Sequence, residues 1–436
     1  MTRNFRPALA SLFILPTLVV AQEFSVAPMG DPSSDVGMAV GRMGPADSTE
    51  TPTETLDTVE SEGTGEILPL SFFTNKPFRF TVSVREGYDD NVLTSRTNRI
   101  GSFFTNFAAG VNYSFGSPRL KLSTNLTGGL TYYYRRPGNK VDLSALWNLA
   151  AVYSVSPRMT VSVSTNTGWY SQPAIGVEGA QFRVDADYLY SSSNLAVSYQ
   201  WTERFSTVTR YNARFLVYDN RNLNNQLGNV NQTISQSFDY LFWPTTTVVA
   251  EYRANPDVFF DADTDSFGQY FLLGFNHTFN PRSFWNLRAG AELRLNNNPV
   301  DGSSTYIGPF VESIFTYKLA RRSDIAWSLR YGTENSGVFD VTQAQVFRTG
   351  LSYNQGLTAK LLLNVGAYYT VGYYDQPGVI QSYYQNAFEG VVGLRYDLNR
   401  IFSLSAGYRY SGILSQQVSS LNYSRNVVFV GLNANF

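Results

Sequence analysis

The chain has no cysteine and one histidine in 436 residues. Without thiols there is no disulfide framework, no thiolate metal site and no lipid-bearing cysteine. Nor, beyond the N-terminus, is there an apolar run of about 18 residues, the length a membrane-spanning helix needs. Mean hydropathy is slightly negative, −0.19. Yet aromatics make up 15% of the residues, with 29 Tyr and 31 Phe. Rings in quantity without a long greasy run suit a transmembrane β-barrel, whose strands are apolar on one face only.

The net charge of −1 conceals two regions of opposite sign. Residues 22–75 hold ten acids against Arg42 alone, whereas the chain after residue 75 holds 24 acids and 30 bases. Met1–Ala21 has the parts of a secretory signal: Arg3 and Arg6, the apolar stretch Ala8–Val20, and Val19-Val20-Ala21 before a cut. Three segments are therefore expected: a signal peptide over 1–21, an acidic, disordered periplasmic tail over 22–75, and an outer-membrane barrel over 76–436. The tail reads as a solvated segment; its alternative is a plug reaching back into a basic pore.

From Lys76 onward two kinds of connection alternate. Tight ones include Gly116-Ser117-Pro118, Ser156-Pro157, Asn280-Pro281-Arg282 and Asn399-Arg400, with the Pro, Gly, Asn or charge that short turns require. Longer polar stretches lie midway, among them Asp89–Ile100, Pro173–Ala180, Asp219–Val230 and Ser415–Leu421. Eight of the first kind and nine of the second predict eighteen strands, with sixteen or twenty as alternatives. An even count puts both termini on the periplasmic side.

Within the strands the period is two. Over Ser283–Asn296, Trp285, Leu287, Ala289, Ala291, Leu293 and Leu295 oppose Asn286, Arg288, Glu292 and Arg294. The last stretch repeats the pattern: Val428, Val430, Leu432, Ala434 and Phe436 alternate with Gly431, Asn433 and Asn435. A strand of this kind ending in Phe resembles the targeting strand of outer-membrane barrels, which implies the barrel-assembly machinery as a partner. The pattern predicts an all-β fold, a closed antiparallel up-and-down barrel facing lipid, with short periplasmic turns. Aromatic clusters at Tyr132–Tyr134, Tyr373-Tyr374, Tyr383-Tyr384 and Phe242-Trp243 are expected at headgroup level, against lipid and lipopolysaccharide. A stacked sugar track would need them on the lumen face.

Charges on the lipid face cost ~2–4 kcal/mol at the midplane, so parity turns them inward. It places Arg210, Arg214, Arg253, Arg288, Glu292, Arg294, Arg330, Arg348, Lys360, Glu389, Arg395 and Arg409 among the pore-lining residues. An inward excess of bases favours anions. His277 falls on the outward face near a turn, and no Ser is placed to use it as a base. No catalytic residue, enzyme activity, cofactor or nucleic-acid partner is expected. Asp261, Asp263 and Asp265 form a weak calcium candidate. Ser266 stands where an EF-hand loop needs Gly, and Leu272 where it needs Glu, so a solvated loop is the plainer reading. With every loop this short, no long inward-folded constriction loop is expected.

The first hairpin carries Tyr88-Asp89-Asp90-Asn91-Val92 at the end of its opening strand. This stretch resembles the opening strand of a family of β-barrel porins of bacterial outer membranes. The resemblance covers roughly 76–436 and implies a barrel channel without catalytic residues. Saccharide passage is a further implication, because some members accompany exopolysaccharide or surface-secretion systems. Physically, Asp89-Asp90-Asn91 is a turn former where the strand leaves the membrane. The expected function is porin-like, passive diffusion of small polar or anionic solutes. Its rival is a structural outer-membrane barrel partnering a surface polysaccharide or secretion system.

Overall fold

The structure, a computed structural model, describes residues 78–170, 174–175, 183–184, 187–260, 265–298, 302–335, 343–374, 382–416, 418–419 and 422–436. The expected signal peptide and acidic tail lie outside the described residues. In chain order the strands begin β1 (Phe78–Asp89), β2 (Ser102–Gly116), β3 (Leu120–Tyr133), β4 (Val141–Ser156) and β5 (Met159–Tyr170). They continue with β6 (Ala174–Ile175), β7 (Arg183–Val184), β8 (Tyr188–Gln200), β9 (Phe205–Tyr218) and β10 (Asn229–Trp243). Next are β11 (Thr246–Phe259), β12 (Ser266–Asn280), β13 (Ser283–Asn298), β14 (Gly302–Ala320) and β15 (Ser323–Asn335). Last are β16 (Gln343–Gly356), β17 (Leu361–Tyr374), β18 (Tyr383–Asp397), β19 (Phe402–Ser415) and β20 (Tyr423–Asn435). One helix, α1 (Arg221–Leu227), joins β9 to β10.

Eighteen strands form one antiparallel sheet in which each lies beside its neighbours in sequence, as the hairpin count predicted. The small pair β6–β7 stands apart from it, so β5 lies beside β8. β1 pairs with β20 from Thr81↔Asn435 to Asp89↔Val427, and the sheet closes on itself. Phe80 and Phe436 complete that seam with reciprocal backbone bonds of 3.0 and 2.8 Å. Closure leaves no edge strand to aggregate and gives most of the backbone its partners within the wall.

Turn chemistry sets the hairpins. Asn399 Oδ1 accepts the N–H groups of Ile401 and Phe402, both at 2.8 Å, and Asn280 Oδ1 accepts that of Arg282 at 2.8 Å. Register shifts fall in the last residues before such turns, at Ser154/Ser156, Leu241/Trp243, Thr278/Asn280 and Lys318/Ala320. Bulges placed there leave the parity of each strand's body intact. One face is therefore apolar and outward, with Leu273 68% exposed, and the other polar and inward, with Ser237 and Glu292 at 0%. An apolar exterior of this height belongs against hydrocarbon, and eighteen strands enclose a lumen wide enough for water.

Two connections differ from their expected form. The loop foreseen at Pro173–Ala180 runs on to Asp187 and contains β6 and β7. The polar stretch after Tyr218 winds into α1, because Asn220 caps it: its Oδ1 accepts the Asn222 N–H at 3.1 Å.

Candidate functional site: the barrel interior

Inward parity brings residues from distant strands together. On β11, Glu251 accepts from Arg253 Nε at 2.7 Å, with Arg210 of β9 at 3.7 Å and Arg288 of β13 at 3.6 Å. Arg253 also donates to Glu312 of β14 at 2.9 Å, across two intervening strands. Such chords run only on the concave side of a closed wall. Three guanidiniums share Glu251 and Glu312 here, and the Asp239 carboxylate of β10 also acts on Arg288, so the cluster is a closely matched network of charge. Removed from bulk water, these charges act over a longer range than they would in solution.

The next cluster lies beside it. Glu292 accepts from Arg294 Nε at 2.8 Å, and Arg294 also donates to the Tyr270 hydroxyl at 2.9 Å. Arg330 and Arg253 each set a guanidinium 5.6 Å from the Phe310 ring centre, a cation–π arrangement. Arg348 pairs with Glu334, Arg395 with Asp397 at 2.9 Å, and Arg409 with Glu389 at 3.7 Å. Arg214 is buried on the same face of β9. Lys360 is the exception: it sits in the tight turn before β17, where Nζ lies 3.5 Å from the Leu398 carbonyl. Counting parity back from β17 carried it past the strand's true start.

Opposite in character is the wall from β2 to β9. Asn125 donates to Asn112 at 2.5 Å, Asn166 to Asn148 at 2.5 Å, and Asn212 to Asn194 at 2.6 Å. Asn125 and Asn148 stand opposite each other in register, which carries the amide row from strand to strand. Amides in a row give each other donors and acceptors and leave the surface uncharged.

Four inward ion-pair residues carry no place in the sequence-derived set. Asp89 takes hydrogen bonds from Arg425 Nε at 2.9 Å and Nη2 at 2.5 Å. Arg136 and Asp142 pair at 2.5 Å across the β3–β4 loop. The Tyr88–Val92 stretch does more than turn the chain. Asp90 accepts both the backbone and the side-chain N–H of Asn426 at 2.7 Å, and Asn91 donates to the carbonyls of Ser95 and Ser424 at 2.8 and 2.9 Å. It fastens the first strand to the last.

At the loop end of the lumen no long loop is needed for inward packing: the β1–β2 connection, twelve residues, turns its own apolar residues in. Val92, with Leu93 and Ile100, packs onto the inward Phe104, Tyr133, Val427 and Phe429. Arg96 reaches Ser419 of the last loop at 2.6 Å, and Val418 packs onto Ala344, Val346, Tyr374 and Tyr383. A loop of ordinary length closes a mouth if its apolar residues turn in. The aromatic clusters also divide. Tyr132, Tyr134, Tyr384, Phe242 and Trp243 are exposed on the outside, as a girdle requires, but Tyr133, Tyr374 and Tyr383 point inward and are buried. Consecutive strand residues cannot share a face unless a bulge intervenes, as the register shift at Leu241/Trp243 does for Phe242 and Trp243. Tyr374 and Tyr383 stack at 4.9 Å, and Tyr170 and Tyr188 at 5.3 Å.

His277 lies 2.7 Å from Thr246 Oγ1 and edge-on to Phe279 at 4.3 Å. Asp261 and Asp263 lie outside the described residues. Asp265 Oδ1 accepts the Phe259 N–H at 3.0 Å, the work of a turn. Among the described residues no acidic or histidine cluster suits a metal ion.

No protein-family model matches the chain, and no curated protein matches it in sequence. Solved structures match in shape. OccAB4 of Acinetobacter baumannii shares 12% identity at a TM-score of 0.42, over 83% of this chain and 99% of that one. Pseudomonas aeruginosa OccK2 (OpdF), solved in complex with glucuronate, shares 10% identity at 0.44, over 82% and 98%. Pseudomonas aeruginosa OpdK, solved with vanillate, shares 8% at 0.43, over 82% and 99%. The likeness is too loose to bring function with it.

Proposed function

We propose that the barrel is an outer-membrane channel for passive diffusion of small polar or anionic solutes, saccharides among those to test. One observation carries this reading: the inward face gathers Arg210, Arg253, Arg288, Arg294, Arg348 and Arg409 from separate strands, in a chain whose bases outnumber its acids 30 to 24 after residue 75, beside a wall of asparagine amides. A lumen of this kind replaces a solute's hydration while favouring negative charge. The pore-lining set is Arg210, Arg214, Arg253, Arg288, Glu292, Arg294, Arg330, Arg348, Glu389, Arg395 and Arg409. In this reading the tight turns and both termini are periplasmic, the outer girdle meets lipid and lipopolysaccharide, and β20 is presented to the assembly machinery. The chain carries no catalytic role.

The test is single-channel current in a planar bilayer under a salt gradient, for the mature chain and for one lacking residues 22–75. Steady conductance with an anion-favouring reversal potential supports the open channel. Current only after deletion makes the acidic segment a plug. A second reading draws on the tucked first loop and buried aromatics at the mouth: a structural barrel partnering a surface polysaccharide or secretion system. Folded protein that passes no current in either form selects it.

A further inference from the structure

Besides a two-residue gap between β10 and β11 at Gln232–Thr233 and Asn255–Pro256, one longer stretch of the wall is not joined by its backbone. β14 pairs with β13 along Gly302–Tyr317, but with β15 only from Val311↔Tyr331 to Ala320↔Ser323. Beyond Val311 the strands part among the described residues: Ile307–Phe310 pair with β13 and Gly332–Asn335 with β16, and no backbone pair joins the two. Pro309 lies in the parted stretch of β14; having no N–H, proline is tolerated in a sheet only where no neighbour needs one.

Side chains stand in for the missing ladder. Glu292 accepts the Thr333 N–H at 2.9 Å, and Arg294 donates to the Thr333 carbonyl at 2.8 Å. The Phe310 ring covers Gly332, where an added Cβ would lie 2.7 Å from Cδ2. A stretch held by two side chains opens more readily than wall zipped by backbone bonds, and here it is four residues long against two at the β10–β11 gap.

The seam also connects two apolar surfaces. Outside it, Ile307 is 72% exposed, with Pro309 exposed two residues on. Inside it, Tyr270, Leu272 and Phe310 form a buried apolar cluster, with the two rings edge-on at 5.0 Å. A polar solute moving along the axis has no use for that cluster.

We propose that the seam between β14 and β15 is a lateral portal. An apolar solute dissolved in the surrounding membrane, an alkyl chain or a single aromatic ring, enters there and rests first against Tyr270, Leu272 and Phe310. The proposal rests on the membrane placement argued above but not on axial conduction.

The test uses the full protein in phospholipid vesicles with a lipid-soluble alkyl diazirine, followed by photolysis and peptide mapping. Carbene insertion is expected on the inward Tyr270, Leu272 and Phe310 as well as on the outward Leu273 and Ile307. The equally inward Leu146 and Ile413, far from the seam, serve as controls and stay unlabelled. No insertion on the three, or equal insertion on the controls, overturns the portal. In a second arm, Pro309→Cys and Thr333→Cys are bridged by a short bifunctional thiol reagent. Bridging abolishes insertion at the three positions and leaves single-channel current unchanged; insertion that persists after bridging shows another route and also overturns the proposal. Current is measured separately, so loss of the channel reading and loss of the portal are distinguishable.

Discussion

Asp89 and Arg425 join the two ends of the barrel: 336 positions apart in sequence, they meet through two hydrogen bonds of 2.5 and 2.9 Å in the buried interior. Removing one partner strands the other charge away from water. Arg425→Met is therefore expected to destabilise the barrel by about 3–5 kcal/mol, whereas Asp89→Asn with Arg425→Met, leaving no lone charge, costs clearly less. Urea unfolding in detergent checks both, and equal losses in the two variants would deny the pair its closing role.

The face that meets lipid is testable at one strand. Leu273, mid-strand on β12 and 68% exposed, points outward. Leu273→Arg is expected to cost ~2–4 kcal/mol in bilayer-folded protein. Asn364→Arg on the exposed inner face of β17 is expected to stay within about 0.5 kcal/mol. Reversed costs would turn the barrel inside out.

How much of this was legible? Parity and hairpins were, because a period of two and a turn-forming Asn or Pro are local properties. Partnerships were not. That Arg253 reaches Glu312 depends on the register of β11 through β14, which no single segment encodes. Arg425 stands at the start of its strand beside a loop, where parity gives little guidance. The tucked first loop did leave a trace, since Val92, Leu93 and Ile100 are apolar residues in an otherwise polar connection. The parted β14 left one too, in Pro309.

Selectivity should follow the inner face. Arg210 and Arg409 keep 24% and 25% of their side chains exposed and so stand closer to the water path than the buried Arg253, Arg288 and Arg294. Replacing both by Glu removes two positive charges and adds two negative ones. The reversal potential in a salt gradient is expected to move toward cations, and a fixed potential would mean that ions take another path.

Mouth narrowing by the first loop predicts a conductance change. Replacing residues 94–99 by two glycines removes Arg96 and its contact with Ser419 while sparing Asp89–Val92, which fasten the seam. Single-channel conductance is expected to rise with the fold intact on a cold detergent gel. No rise would place the constriction deeper, among the arginines.

The reciprocal bonds of Phe80 and Phe436 have a consequence for the chain as a whole. Once the sheet is closed, no strand is first and none is last. A circular permutant opened at Ser156-Pro157, with a short linker from Phe436 to Phe78, keeps every strand between the same neighbours. What it gives up is β20 as the final strand. Refolding from urea into detergent depends on neighbours, whereas delivery to the membrane in a cell, on the role proposed for β20, depends on which strand comes last. On that proposal, folding and address share the same residues yet are separable by a single cut.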